Sequence, residues 1–253
     1  MTAQRVAAAA LVGALLAGCV SNNPEREVVP KDAARANLQL GIAYLQQGNL
    51  ALAKEKLERA EKQDGRNAEV HTGLAFLYER LDRKKDAESH YASARRLAPD
   101  SADIANTYGV FLCRNGKADA AVREFEAAAK NPLYSTPWAA LTNAGVCLRS
   151  ARQADNATRY LRQAIQVRPN YTEAVVELAD LQLEQGDAEG AYVTANNFLT
   201  LGLGSPDVLL VALRAAQARG DANTVAQIAR RLRRDFPNSL QTRALPQLLN
   251  EKG

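Results

Sequence analysis

The chain holds 253 residues, 47% apolar, 24% charged and 6% aromatic, with a formal charge of +4. This composition excludes a disordered or collagen-like chain and supplies apolar matter for one large domain or two average ones, while so mild a charge makes no demand for nucleic acid. Two histidines, one tryptophan and three cysteines leave little material for a metal or redox centre, and abundant alanine with regularly spaced Gly, Leu and Tyr points to helical repeats.

Arg5 supplies a positive start, and Val6 to Leu16 form an apolar stretch too short to cross a bilayer as a helix. Leu16-Ala17-Gly18-Cys19 follows, which resembles the bacterial lipobox, where the cysteine thiol is diacylated and the new amino terminus acylated. Residues 1–18 therefore read as a lipoprotein signal peptide with Cys19 as the lipidation site. A plain secretory signal with an incidental cysteine is the alternative. The placing of the tetrapeptide at the end of the apolar run favours the lipobox. Each buried acyl CH₂ contributes about 0.8 kcal/mol, so several chains anchor firmly. Val20, rather than Asp, follows the cysteine. By resemblance to sorted lipoproteins this favours the outer membrane, with the protein facing the periplasm. Residues 19–33 are polar and proline-bearing and are expected to be the lipidated terminus and a flexible tether.

From residue 34 the sequence matches itself. A small residue in the middle of a first helix recurs at Gly41, Ala75, Gly109, Gly145 and Ala179, then less well at Leu213, in steps of 34, 34, 36, 34 and 34. Twelve positions onward stand Ala53, Ala87, Ala121, Ala157, Ala191 and Val225; seven further come Ala60, Ala94, Ala128 and Ala164, then Phe198 and Leu232. Gly65, Pro99, Pro132, Pro169, Gly204 and Pro237 are expected to stop the second helices. Two antiparallel helices approach closely only where a side chain is small, and a hairpin that cannot bury its apolar face alone does so in a stack. The pattern, with Leu40-Gly41-Ile42-Ala43-Tyr44, resembles the tetratricopeptide repeat (TPR). That resemblance implies an all-α, right-handed superhelix (α-solenoid) of six units, about 34–67, 68–101, 102–137, 138–171, 172–205 and 206–239. A tail or capping helix over 240–253 completes the chain. Trp138 does not sit at the repeat's tryptophan position, two residues are inserted around 131–137, and unit six diverges most, as a terminal cap with one solvated face would.

No catalytic constellation is present: there is no P-loop, no Gly-x-Ser-x-Gly elbow and no His-Glu-x-x-His pair. The chain is therefore expected not to be an enzyme and to carry no cofactor or metal. His71 and His90 fall in different helices of unit two without evident partners and read as ordinary polar residues. The run Arg230-Arg231-Leu232-Arg233-Arg234 reads as a solvated face around a packing leucine, with anionic lipid or nucleic acid as the alternative. Cys113 and Cys147 occupy positions 12 and 10 of neighbouring first helices, a mismatch of about 3 Å along the axis. In an oxidising compartment such a pair is expected to form a disulfide that clamps unit three to unit four; two buried free thiols are the alternative.

First helices line the concave face of such a stack. There Leu38, Ile42, Leu45, Phe76 and Val110 are apolar, with Asn106 and Arg114 as polar additions. These seven residues are the candidate partner-binding groove, suited to an amphipathic helix or an apolar peptide. The alternative is that the tether or a neighbouring repeat covers them. The two-lysine, two-asparagine clamp with which TPR domains hold a terminal carboxylate is not evident.

Three stretches are more specific than a generic repeat. They are Asn106-Thr107-Tyr108-Gly109-Val110-Phe111-Leu112-Cys113-Arg114-Asn115-Gly116, Asn131-Pro132-Leu133-Tyr134-Ser135-Thr136-Pro137-Trp138, and Asn143-Ala144-Gly145-Val146-Cys147. With the lipobox, six units and the overall length, they resemble the PilF/PilW family of type IV pilus biogenesis proteins. The resemblance implies a pilotin: an outer-membrane lipoprotein that binds secretin subunits and promotes their localisation and assembly into a multimeric ring; the chain itself is expected to be monomeric. A TPR lipoprotein of another envelope complex, such as outer-membrane β-barrel assembly, is the competing reading.

Overall fold

The computed structural model describes residues 30–250. The signal peptide over 1–18, Cys19 and residues 20–29 of the expected tether therefore lie outside the described residues. Among the described residues there are thirteen α-helices and no strand. In chain order they are α1 (Pro30–Gln46), α2 (Leu50–Gln63), α3 (Ala68–Arg80), α4 (Lys84–Leu97), α5 (Ala102–Arg114), α6 (Ala118–Lys130), α7 (Pro137–Ser150), α8 (Ala154–Val167), α9 (Thr172–Glu184), α10 (Ala188–Thr200), α11 (Pro206–Ala218), α12 (Ala222–Asp235) and α13 (Leu240–Asn250). The first twelve pair as six successive hairpins, and first helices also touch the next first helix at α1–α3, α5–α7, α7–α9 and α9–α11. The molecule is an all-α superhelical repeat protein.

The small residue of each first helix has a physical reason that the structure makes explicit. A Cβ added to Gly41 would come within 2.6 Å of Leu57, one on Gly109 within 2.7 Å of Phe125, and one on Gly145 within 2.6 Å of Leu161. Each contact joins residues sixteen positions apart, and the same offset pairs Ala75 with Tyr91, Ala179 with Ala195 and Leu213 with Ala229. Leu213 is therefore not a failed repeat position. The second helix of its unit offers an alanine, so the large side chain has moved to the first helix, and both Leu213 and Ala229 are buried.

Between the two helices of each unit one residue adopts a left-handed backbone. Glycine fills that position at Gly48, Gly116, Gly186 and Gly220, with φ between 73° and 80°, but Asp82 (φ 54°) and Arg152 (φ 60°) fill it in units two and four. Second helices end two residues before Gly65, Pro99, Pro132, Pro169 and Pro237. In unit five α10 ends earlier, because Gly202 turns left-handed (φ 76°) before Gly204 is reached.

One boundary differs from the sequence expectation, and at the C-terminus the capping helix, one of the two expected alternatives, is the form found. Helix α1 begins at Pro30, so residues 30–33 belong to the first hairpin rather than to the tether. Proline opens a helix without losing a bond, and Asp32 in the first turn faces the positive end of the helix dipole. At the other end unit six is not the cap. Helix α13 covers it with the fully buried Leu245, and Gln217 Nε2 of α11 donates to the Leu248 carbonyl at 3.0 Å. Seven residues of α11 are accordingly buried.

Among the described residues the apolar interior forms one large cluster running from α1 into α9, a second running from α9 to α13 with Ile165 packed against both, and a small alanine cluster of Ala102, Ala105, Ala128 and Ala140. Helix α9 supplies Leu178 and Leu181 to the first and Val175 and Ala179 to the second, so it is the seam of the stack. Ion pairs add inter-repeat ties: Arg95 with Glu124 (2.6 Å), Lys117 with Glu88 (2.6 Å), and Arg149 with both Glu177 (2.5 Å) and Glu184. The Tyr160 phenol of α8 donates to Glu126 of α6.

Candidate partner-binding groove

Helices α1, α3 and α5 wall a concave groove of about 980 Å³. Of the seven candidates, Leu38, Ile42, Leu45, Phe76 and Arg114 line it. They are not equivalent. Leu38 (4% exposed) and Leu45 (9%) are floor and belong to the apolar core, whereas Ile42 (39%) and Phe76 (44%) present open surface. Asn106 and Val110 are not brought to it. Asn106 accepts a hydrogen bond from Asn143 Nδ2 of α7 at 2.9 Å, and Val110 packs against the core. The groove wall contributed by α5 is instead Asp103, Ile104, Thr107 and Arg114. At about 100° per residue Asn106 stands about 100° and Val110 about 60° around α5 from Thr107, both on the same side of it.

A feature not apparent in the sequence supports Phe76. Its ring meets Tyr91 edge-on with centroids 5.9 Å apart, and Tyr91 stacks on Tyr108 (5.6 Å) and tilts against Phe111 (5.0 Å). An exposed aromatic side chain is thus held by an aromatic ladder spanning repeats two and three, with Tyr91 and Phe111 buried and Tyr108 partly so. Burial, then the hydrogen bond that its phenol donates to Glu79, raises the Tyr91 pKa far above the ordinary tyrosine value, so it remains a donor. Arg114 Nη1 lies 4.0 Å from the other oxygen of Glu79. The lining carries Arg35, Arg80 and Arg114 against Glu69, Glu79 and Asp103, a balanced rim around an apolar floor.

One repeat position makes the groove unusual within its own chain. Ile42 and Phe76 are followed in register by Val110, Val146, Asp180 and Arg214. In repeats five and six this position holds an ion pair, with Arg214 Nη1 2.5 Å from Asp180 Oδ1. The same place on the same scaffold is charged at one end and apolar and open at the other.

Cys113 of α5 and Cys147 of α7 form a disulfide, with Cα atoms 5.7 Å apart. It sits beside the Asn143–Asn106 bond, so the junction of repeats three and four has a covalent and a polar tie where two residues are inserted. Trp138 is the second residue of α7, after Pro137, and the Arg168 guanidinium lies 4.3 Å over its ring. In the arginine run Leu232 is buried while Arg231 and Arg234 pair with Asp235, so a packed leucine with arginines around it describes α12.

The histidines require a correction, because they do have partners. His71 Nδ1 and His90 Nδ1 lie 3.0 Å apart, and His71 Nε2 lies 3.0 Å from the Gly65 carbonyl. Glu61 Oε1 approaches the two Nδ1 atoms at 3.7 and 3.9 Å. The Tyr78 ring stacks on His90, and burial holds the His90 pKa below its usual value. Linear spacing hid this group: its members come from three helices, at separations of 10 and 19 residues that carry no ligand signature.

Comparison with known proteins agrees with this architecture. The tetratricopeptide repeat family model matches residues 44–106 and 148–197. The type IV pilus assembly protein PilF of Pseudomonas aeruginosa is 30% identical over 247 residues, covering 94% of this chain and 96% of that protein. The solved P. aeruginosa PilF structure is similar with a TM-score of 0.64 at 26% identity, over 86% of this chain and 98% of that one. A crystal structure of PilW, described as a widely conserved type IV pilus biogenesis factor, is similar with a TM-score of 0.63 at 27% identity, over 84% and 97% of the two chains. The chain belongs to the PilF/PilW family of tetratricopeptide-repeat proteins.

Proposed function

We propose that this protein is a non-catalytic scaffold of type IV pilus biogenesis, anchored in the outer membrane through lipid on Cys19. Its groove over repeats one to three holds an apolar segment of a secretin subunit while the lipid carries both to the membrane where the ring assembles. The observation that carries the reading is the contrast along one repeat position: Ile42 and Phe76 stand open where Asp180 and Arg214 close the equivalent place with an ion pair. The fold does not need apolar side chains there, so a partner's contact explains them better than packing does. Similarity to PilF over nearly the full length of both chains supports the pilus context.

The test transplants the distal solution to the groove. Ile42→Asp/Phe76→Arg should keep the helical fold and lower the melting temperature by only about 3–6 °C, since the position tolerates such a pair elsewhere on the stack while the edge contact of Phe76 with Tyr91, about 1–1.5 kcal/mol, is lost. The double variant should fail to retain the secretin from outer-membrane extracts that the wild type captures, and secretin multimers should fall in cells carrying it. Undiminished capture by the folded variant would remove the groove from the function. Cys19→Ala should leave a folded protein and depleted outer-membrane multimers, and normal multimers would remove the lipid.

A further inference from the structure

We propose that Glu61, His71 and His90 form a binding site for a divalent transition-metal ion of the zinc class, which staples repeat one to repeat two. The three side chains come from consecutive helices, α2, α3 and α4. Their candidate ligand atoms, one carboxylate oxygen and two imidazole nitrogens, form a triangle with sides of 3.0, 3.7 and 3.9 Å. The circle through three such points has a radius of about 2.1 Å, which is the bond length that zinc takes to imidazole nitrogen and to carboxylate oxygen. An ion near that centre reaches all three atoms with little movement of the protein.

The surroundings are those of a built site. His71 Nε2 faces the Gly65 carbonyl at 3.0 Å, an acceptor only, so this nitrogen carries the proton and Nδ1 turns its lone pair toward the other two ligands. An outer hydrogen bond of this kind fixes ring orientation and raises the basicity of a metal-binding histidine. His90 is held by the stacked Tyr78 ring (centroids 5.3 Å, 14° between planes), and the Arg83 guanidinium lies 4.6 Å over the other partner of that stack, Tyr78. The histidine side chains are 12% and 19% exposed and Glu61 is 36% exposed, which leaves an open side for a water as fourth ligand. Two imidazoles and one carboxylate suit zinc, cobalt, nickel or copper and do not suit magnesium or calcium, which take oxygen ligands. His71 lies roughly 160° around α3 from the Glu69, Phe76 and Arg80 wall of the groove, so the ion would brace that wall from behind without competing with its occupant.

The experiment titrates zinc chloride into the full chain in detergent after chelator treatment, followed by calorimetry. One zinc per chain at micromolar or tighter affinity is expected, with no response to magnesium. A hundredfold excess over Kd should raise the melting temperature by about 5 °C or more. His71→Gln, His90→Gln and Glu61→Gln should each weaken binding at least about tenfold, while Cys19→Ala should not. Glu61 is partly exposed, so Glu61→Gln retains the fold and gives the readout should a histidine variant lose helicity. Absence of binding at micromolar zinc, or equal binding by the wild type and Glu61→Gln, overturns the proposal. Loss of zinc binding in Cys19→Ala also overturns it, because Glu61, His71 and His90 would then not suffice to hold the ion.

Discussion

Replacing both Cys113 and Cys147 with alanine removes the covalent tie between repeats three and four, and its effect can be worked out in advance. The bond closes a loop of 34 residues. Chain-entropy scaling gives about 3.8 kcal/mol for a loop of that length, against a packing loss on the order of 1 kcal/mol for trimming the sulfurs from one half-buried and one buried site. For a stack of this size the sum corresponds to a fall of about 10–15 °C in melting temperature. Urea unfolding of the wild type and the double variant, each with and without a phosphine reductant, separates the two contributions. Without reductant the gap should be about 4–5 kcal/mol; with reductant it should shrink to about 1 kcal/mol, because the wild type then loses its loop constraint too. Amide exchange should also quicken in α5 and α7 before it does in α11, since in a linear stack each unit is stabilised mainly by its neighbours. A gap that the reductant leaves unchanged would show that Cys147 acts by packing and that the bond contributes nothing.

Gly109→Ala should destabilise by about 1 kcal/mol, since overpacking against the Phe125 ring outweighs the gain in helix propensity; on a Phe125→Leu background it should become neutral, and an equal cost in both backgrounds would refute the close contact. Arg152→Gly should stabilise by about 0.5–1 kcal/mol in urea unfolding by relieving a left-handed arginine at the turn that glycine fills elsewhere, and a loss would refute that source of strain. The hydrogen bond from Tyr160, and then Lys130, hold the Glu126 carboxyl below its ordinary value. A depressed carboxylate pKa stabilises above the unfolded value near 4.5 and is lost as pH falls through the folded one, so the stability difference between wild type and Tyr160→Phe should be present at neutral pH and shrink on acidification below 4.5; a difference that grows instead would contradict the assignment.

The repeat architecture is legible in the sequence because the constraint that makes it is steric and local. A residue at mid first helix must be small when the residue sixteen later is large, and four such phased pairs leave a periodic trace. The same rule read one residue at a time misleads at Leu213, whose partner Ala229 is the compensating small residue. Groove residues are legible only as a periodicity of apolar positions, which does not separate Leu38, buried in the floor, from Ile42, open to solvent. Asn106 and Val110 share the expected face by spacing, but Asn106 is bound by Asn143 of α7 and Val110 packs against the core, so neither is offered to the groove. The Glu61, His71 and His90 group is illegible for a different reason: it depends on where three helices meet, and no fixed interval between such residues marks that meeting.

A repeat protein offers a control that a single-core fold does not, since one structural position is solved several times in the same chain under the same packing rules. Where the solutions agree, as with the small residue facing residue i+16, the common cause is the stack itself. Where they differ with no compensating change across the hairpin, such as the one that pairs Leu213 with Ala229, the cause lies outside the stack. The position that runs from Ile42 and Phe76 to Asp180 and Arg214 differs in this sense, and the half that departs from a solvated surface is the half propped by the Tyr91, Tyr108 and Phe111 rings. An open Phe76 backed by a fixed aromatic ladder loses little side-chain entropy on being covered, so a segment that docks there gains most of the burial free energy of the ring. Rigidity at that place, more than apolar area alone, is what distinguishes a surface shaped for a partner from one that is merely greasy.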